Sequence, residues 1–236
     1  MIFMPACLVK YYEIGMMNLT LQKNLGLVVD VETTGLSPKS DEIIELALKL
    51  FSYDAKSGEV LDIVEEASYL REPLSYSARQ NYSSAYKIHG IPFESVEGKS
   101  FYDEEISGLF AKADTVFAHN ASFDRSFLYH MYPEINELKW HCTMRGVPWK
   151  EYGFLNSKLL TLLQYHKIAN HQTHRALDDI TYLLELLKQQ NPSGSPYLKE
   201  VLERGHMKKY KPASQKSTSS FPRKSGTRKT GDHFSF

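Results

Sequence analysis

Asp30 and Glu32 in LVVDVETTGL, Asp124 in VFAHNASFD, and His174 with Asp179 in HRALDDI are the residues whose types and placement point to chemistry. Each sits at the end of an apolar run or at the start of a helical pattern. A carboxylate buried there is strongly destabilising unless it is paired or bound to metal. No lysine or arginine stands beside Asp30 and Glu32 in the sequence. Carboxylate oxygens are hard ligands, so the fitting chemistry is the binding of a divalent cation. Strand side chains alternate, which puts Asp30 and Glu32 on one face and Val29 and Val31 on the other. The competing reading, a strand end reaching solvent, is disfavoured by the apolar run before them. Asp124 carries two readings. It is a first-turn residue favoured by the helix dipole, with Asn120 or Ser122 as the cap, or a ligand just past a strand end. In ALDDITYLLELL, Ala176, Ile180, Leu183 and Leu187 share a helix face, and Asp179 points inward with them. Asp178 instead shares a polar face with Thr181, Tyr182 and Glu185, so Asp179 is the candidate ligand. His174 lies in the polar stretch NHQTH. A loop histidine ordinarily just faces solvent, but beside a metal-binding carboxylate the residue type suits a general base.

The elements that must hold these groups are legible from periodicity. Residues 25–32 form a nearly all-apolar run, as in a strand buried on both faces. Residues 43–52 alternate, with Ile44, Leu46, Leu48 and Leu50 on one side, and 59–70 make a third strand after a turn. Short turns between three successive strands predict an antiparallel meander. Helices are expected over 76–88, 101–112, 122–131, 155–166 and 175–189, and short strands over 115–119 and 140–143. That order gives an α/β fold, a mixed sheet with helices on its faces. Phe123 is expected in the core. Pro192, Gly194 and Pro196 break the chain, and a short helix over 196–204 follows.

The 236 residues carry 28 Lys/Arg and 28 Asp/Glu, so the net charge is zero, but it is unevenly placed. Residues 206–236 hold eight Lys/Arg against one Asp, leaving the rest acidic. A basic tail on an acidic body suits a polyanion partner, or is simply a solvated extension. Its Ser, Thr, Lys and Gly content predicts disorder. The two cysteines, Cys7 and Cys142, fit a reducing intracellular, cytoplasmic setting and offer no disulfide framework. No apolar stretch reaches the length of a membrane span, so no membrane partner is expected. Residues 1–22 read as an N-terminal leader, without the charged start and continuous apolar centre of a signal peptide.

DVETTG, HNASFD and HRALDD together resemble the three exonuclease motifs of the DnaQ-like, DEDDh 3′–5′ exonuclease family, which includes the proofreading epsilon subunit of bacterial DNA polymerase III. The resemblance spans about residues 25–190. Arg175 occupies the place where a sister subgroup carries tyrosine, which favours the histidine subgroup. The resemblance implies a ribonuclease-H-like fold over 23–190, followed by a linker and short helix over 191–205 and the tail. It implies that Asp30, Glu32, Asp124 and Asp179 bind two Mg²⁺ or Mn²⁺ ions and that His174 is the general base. It further implies substrate contacts at Thr33, Leu36 and His89. For Leu36, burial in the core is the competing reading. The expected function is two-metal release of nucleoside 5′-monophosphates from nucleic acid with a free 3′ end, DNA ahead of RNA, in proofreading, repair or degradation. A polymerase or another replication or repair protein is the expected protein partner. An RNA-trimming enzyme and a non-catalytic nucleic-acid-binding or scaffold subunit are the alternatives. The intact five-residue set argues against the latter.

Overall fold

The run LGLVVDV has no polar break until Asp30, and a strand of that kind is stable only with both faces covered. The computed structural model, which describes residues 23–212, places it at the centre of a five-stranded sheet. The strands are β1 (Lys23–Thr33), β2 (Ile43–Asp54), β3 (Val60–Leu70), β4 (Thr115–Ala118) and β5 (Lys139–Cys142), in the order β3-β2-β1-β4-β5. The first three form the expected antiparallel meander, and β4 and β5 run parallel to β1. The helices are α1 (Tyr76–His89), α2 (Phe93–Val96), α3 (Asp103–Lys112), α4 (Ser122–Met131), α5 (Thr143–Gly146), α6 (Leu159–Tyr165), α7 (Ala176–Lys188) and α8 (Tyr197–Glu203).

Two cores result, one on each face. Val29, Val31, Leu46, Leu48 and Leu50 pack against Ile106, Phe110, Phe127 and Leu128 of α3 and α4. Val28, Ala47 and Phe51 pack against Leu162, Ile180, Leu183, Leu187 and Val201 of α6, α7 and α8. Truncating one of the buried leucines or isoleucines, such as Leu46, Leu162 or Ile180, to Ala costs about 2–5 kcal/mol. The periodicity reading of α7 is borne out, because Ala176, Asp179, Ile180, Leu183 and Leu187 are all buried.

The strand pattern of β2 is corrected at one residue. Glu32 pairs with Glu45 but Thr33 pairs with Ile43, so Ile44 is a bulge. Its side chain therefore leaves the row of Leu46, Leu48 and Leu50 and joins Tyr82, Ile91 and Val96 beneath α1 and α2. The helix expected over 155–166 starts only at Leu159. Residues before it are held out of helix by a tertiary contact and a local turn: His119 Nε2 contacts the Ser157 carbonyl oxygen at 2.8 Å, and Asn156 Oδ1 accepts from the Lys158 N–H two residues on.

The expected disordered tail begins too early. The Met207 N–H donates to the Trp140 carbonyl, Arg125 donates to the Lys208 carbonyl, and Asn136 exchanges two hydrogen bonds with the Tyr210 backbone. Lys209 pairs with Glu137, and the Tyr210 ring meets Tyr129. Residues 206–210 are thus a strap across β5 and the turn before it. The leader over 1–22 and the rest of the expected tail, 213–236, lie outside the described residues. No helix among the described residues is long and apolar enough to cross a membrane.

Candidate active site

Because β1 and β4 are parallel neighbours, their carboxyl ends lie at the same edge of the sheet, where α/β folds form ligand crevices. Asp30 and Glu32 stand at that end of β1. The chain leaving β4 turns through Asn120, whose φ of 67° is left-handed, and enters α4. Neither Asn120 nor Ser122 caps that helix: Ala121 occupies the cap position and no side chain bonds there, which corrects the expected cap. The turn instead drops Asp124 inward, and it is buried.

The third segment arrives from the other side. His174, with φ 51°, and Arg175 end the polar loop, and α7 begins at Ala176. One ligand-capable atom from each of Glu32, His174 and Asp179 lies within 4.8 Å of the others. The two aspartates of HRALDD separate as helix geometry requires. Asp179 is buried and turned inward, whereas Asp178 is half-buried and its Oδ2 accepts from the Thr173 hydroxyl. Asp179 Oδ2 accepts from the Gln172 amide at 2.8 Å, while Asp179 Oδ1 is buried with no hydrogen-bond partner.

Electrostatics link Asp30 and Asp124 to this group. Burial raises the Asp30 carboxyl well above its ordinary value, and Asp124 is the neighbouring charge that adds most. Burial pushes Glu32 up to about 8, with Asp179 the largest added charge and Arg175 opposing. Asp124 is pushed up to about 7 by burial, against backbone N–H groups of Asp124 itself and Val31 that favour the anion. Asp179 rises to about 6 through burial, opposed by the Gln172 bond and His174. Two buried and two half-buried acids, all raised chiefly by burial and one with an orphaned oxygen, form a set that a hard cation completes.

Beside them opens a cavity of about 470 Å³ lined by Glu32, Thr33, Leu36, Asn81, His89 and Phe123, among others. Leu36 is 84% exposed at its wall, which excludes burial in the core. Phe123 both touches the core and lines the cavity, so its expected core role is incomplete. His89 is 2% exposed. Its Nδ1 accepts from the Ile91 N–H at 2.9 Å, and its Nε2 has no partner. Burial lowers its pKa to about 4, so the ring is neutral and the proton sits on Nε2.

Two contributors escape a motif reading. Asp41 accepts from the Ser37 N–H and the Asn81 amide, tying the Leu36 loop to α1. Glu45, 1% exposed, faces Glu32 across the ladder and pairs with Arg175. An arginine does reach the site, then, but its guanidinium is committed to Glu45 rather than to Asp30 or Glu32. The available signal was a glutamate inside the apolar run IIELALKL.

An exonuclease family model of the RNase T type matches residues 27–187. The PolC-type DNA polymerase III of Bacillus subtilis (strain 168) is 31% identical over 195 residues, covering 78% of this chain and 13% of that protein. Its counterpart in Listeria monocytogenes is 32% identical over 158 residues, 64% of this chain and 10% of that protein. The chain thus spans a small part of the length of these relatives. Escherichia coli exonuclease I in complex with a dT13 oligonucleotide superposes with a TM-score of 0.53 at 17% identity, over 70% of this chain and 41% of that one. The nuclease domain of 3′hExo, a DEDDh family member bound to rAMP, superposes at 0.50 with 16% identity, over 70% and 90%. These likenesses are of fold, and they bear out the ribonuclease-H-like expectation.

Proposed function

Because the chain belongs to the exonuclease family, we propose that it shortens DNA from the 3′ end, releasing nucleoside 5′-monophosphates, with two Mg²⁺ or Mn²⁺ ions at Asp30, Glu32, Asp124 and Asp179. The observation that carries this reading is the convergence of Glu32, His174 and Asp179, with Asp179 Oδ1 left unpartnered, beside a cavity of about 470 Å³. Bound divalent ions would neutralise the repulsion between attacking oxygen and phosphate and ease deprotonation of water. The His174 imidazole accepts the proton as the water oxygen attacks phosphorus. The bond from phosphorus to the preceding 3′ oxygen breaks, and that oxygen takes a proton from solvent.

The terminal nucleoside fits the adjoining cavity. Leu36 supplies an apolar wall for its base, and Thr33 offers backbone at the rim. The neutral His89 presents an Nε2–H donor with no protein partner, suited to a base or sugar oxygen. The PolC-type relatives support DNA, and a polymerase or other replication protein, as substrate and partner in an intracellular setting. Incubating 3′-labelled single-stranded DNA, duplex DNA and RNA of one sequence with Mg²⁺ or EDTA tests the reading. Metal-dependent mononucleotide release from DNA supports it; faster release from RNA moves the chain to the exoribonucleases.

A further inference from the structure

His174 and Asp179 stand on either side of a junction that is fastened at one point. The fastener is Glu45, near the start of β2 and shielded from solvent. Its carboxylate accepts from Arg175 Nη2 at 2.8 Å and from Arg175 Nε at 3.1 and 3.2 Å. It also accepts from the Ala176 backbone N–H at 3.1 Å and the Ser68 hydroxyl at 3.4 Å. The Ala176 N–H is one of the free donors at the start of α7, where no side chain within the loop serves as cap. One carboxylate therefore binds both the side chain of the residue after His174 and the first amide of the helix bearing Asp179.

The residue before Arg175 is conformationally unusual. His174 has φ 51°, in the left-handed region that L-residues seldom adopt. Such a backbone persists only where surrounding contacts over-determine it. Here the contact is the Glu45–Arg175 fork, which is bidentate and so fixes orientation as well as distance. Without it the loop is free to relax, and the imidazole loses its place within 4.8 Å of Glu32 and Asp179. We infer that Glu45, acting through Arg175 and the Ala176 N–H, is the positioning residue that holds His174 in its left-handed, site-facing conformation. The catalytic consequence rests on the proposed role of His174 as general base, whereas the conformational one does not.

The test uses Glu45→Gln and Arg175→Gln, each alone and in a His174→Ala background. The glutamine at 45 keeps an acceptor for Ala176. Arg175→Gln leaves Glu45 the Ala176 N–H and the Ser68 hydroxyl as donors, Glu45→Gln removes the buried charge itself, and thermal unfolding checks that each variant is folded. In the His174 background, either change should lower kcat by roughly tenfold to a hundredfold, with KM little altered, since small misplacements of a catalytic group have effects of that size. In the His174→Ala background the same changes should alter kcat by less than about twofold, because the group they position is gone. A merely structural role predicts equal losses in both backgrounds, and that result overturns the proposal. Backbone carbon chemical shifts of His174, recorded without substrate, report its φ directly. They should leave the left-handed range in both single variants, and unchanged shifts also overturn the proposal. If the unaltered protein digests no nucleic acid, the proposed function falls, while the chemical shifts still decide the positioning claim.

Discussion

Replacing Asp179 by Asn should stabilise the metal-free protein at alkaline pH while abolishing its activity. Asp179 is buried among Glu32, Glu45 and Asp178, and its carboxyl is pushed up to about 6 from 3.8. A group whose folded pKa is raised contributes its stability below the unfolded value and loses it as pH rises through the folded value. For Asp179 that window runs from about pH 4 to about pH 6, and the full penalty remains at pH 8. Two units correspond to about 3 kcal/mol, an upper figure because the neighbouring acids titrate together. Asn imitates the protonated acid, and its carbonyl oxygen can still accept from Gln172. In EDTA at pH 8 the variant should melt several degrees above the parent, at about 2–4 °C per kcal/mol for a domain of this size. The advantage should shrink as pH falls through 6 and vanish near 4. With Mn²⁺ at pH 8 the order should reverse, since the parent gains a cation that the variant holds poorly. Thermal unfolding of both proteins at three pH values, with EDTA or Mn²⁺, is the assay. A variant less stable than the parent in EDTA at pH 8 would refute the claim that burial of the Asp179 carboxylate without a counter-ion dominates its energetics.

His174→Ala should lower kcat by about 10²–10⁴-fold with little change in KM, as expected for loss of a general base, and single-turnover kinetics check it. Asp178→Ala should keep activity near the parent level, because its carboxylate bonds Thr173 rather than facing Glu32; a loss as large as that of Asp179→Asn would reverse the assignment. Two truncations should differ. Ending the chain after residue 205 removes the strap and the Lys208 carbonyl that serves Arg125, so stability should fall by about 1–3 kcal/mol in urea unfolding. Ending it after residue 212 should leave stability unchanged. It removes five Lys/Arg and one Asp and should weaken binding to long single-stranded DNA most at low salt, read as a shallower salt slope.

The antiparallel meander, the two-sided burial of β1 and the inward turn of Asp179 were legible because all follow from periodicity. An apolar run of the LGLVVDV kind must be central, and a helix residue three past Ala176 and four before Leu183 must face with them. What escaped depends on partners distant in the chain. Ile44 alternates properly in the sequence, yet a bulge against Glu32 turns it to another cluster. Residues 155–158 look helical until His119 claims the Ser157 carbonyl. The strap at 206–210 is polar and basic, and what holds it are bonds to distant residues, Trp140, Arg125, Asn136 and Glu137. Of the five candidate residues, Asp124 was the least decided by sequence, because a first-turn aspartate is common. Its burial beside Asp30 depends on the parallel pairing of β4 with β1. Glu45 was invisible as a functional residue because its meaning lies in Arg175, whose guanidinium it meets across the sheet and helix.

The acidic group at the end of β1 is proposed to make this chain a metal-dependent exonuclease working from the 3′ end. The most direct measurement follows one single-stranded DNA carrying either a 3′ or a 5′ label, in Mg²⁺, with the Asp30→Ala protein alongside. The account predicts immediate release of labelled 5′-mononucleotide from the 3′-labelled strand and a ladder of shortening products from the 5′-labelled strand. EDTA and Asp30→Ala should silence both. Mononucleotide appearing first from the 5′ label, or digestion that persists in the Asp30→Ala protein, would contradict it.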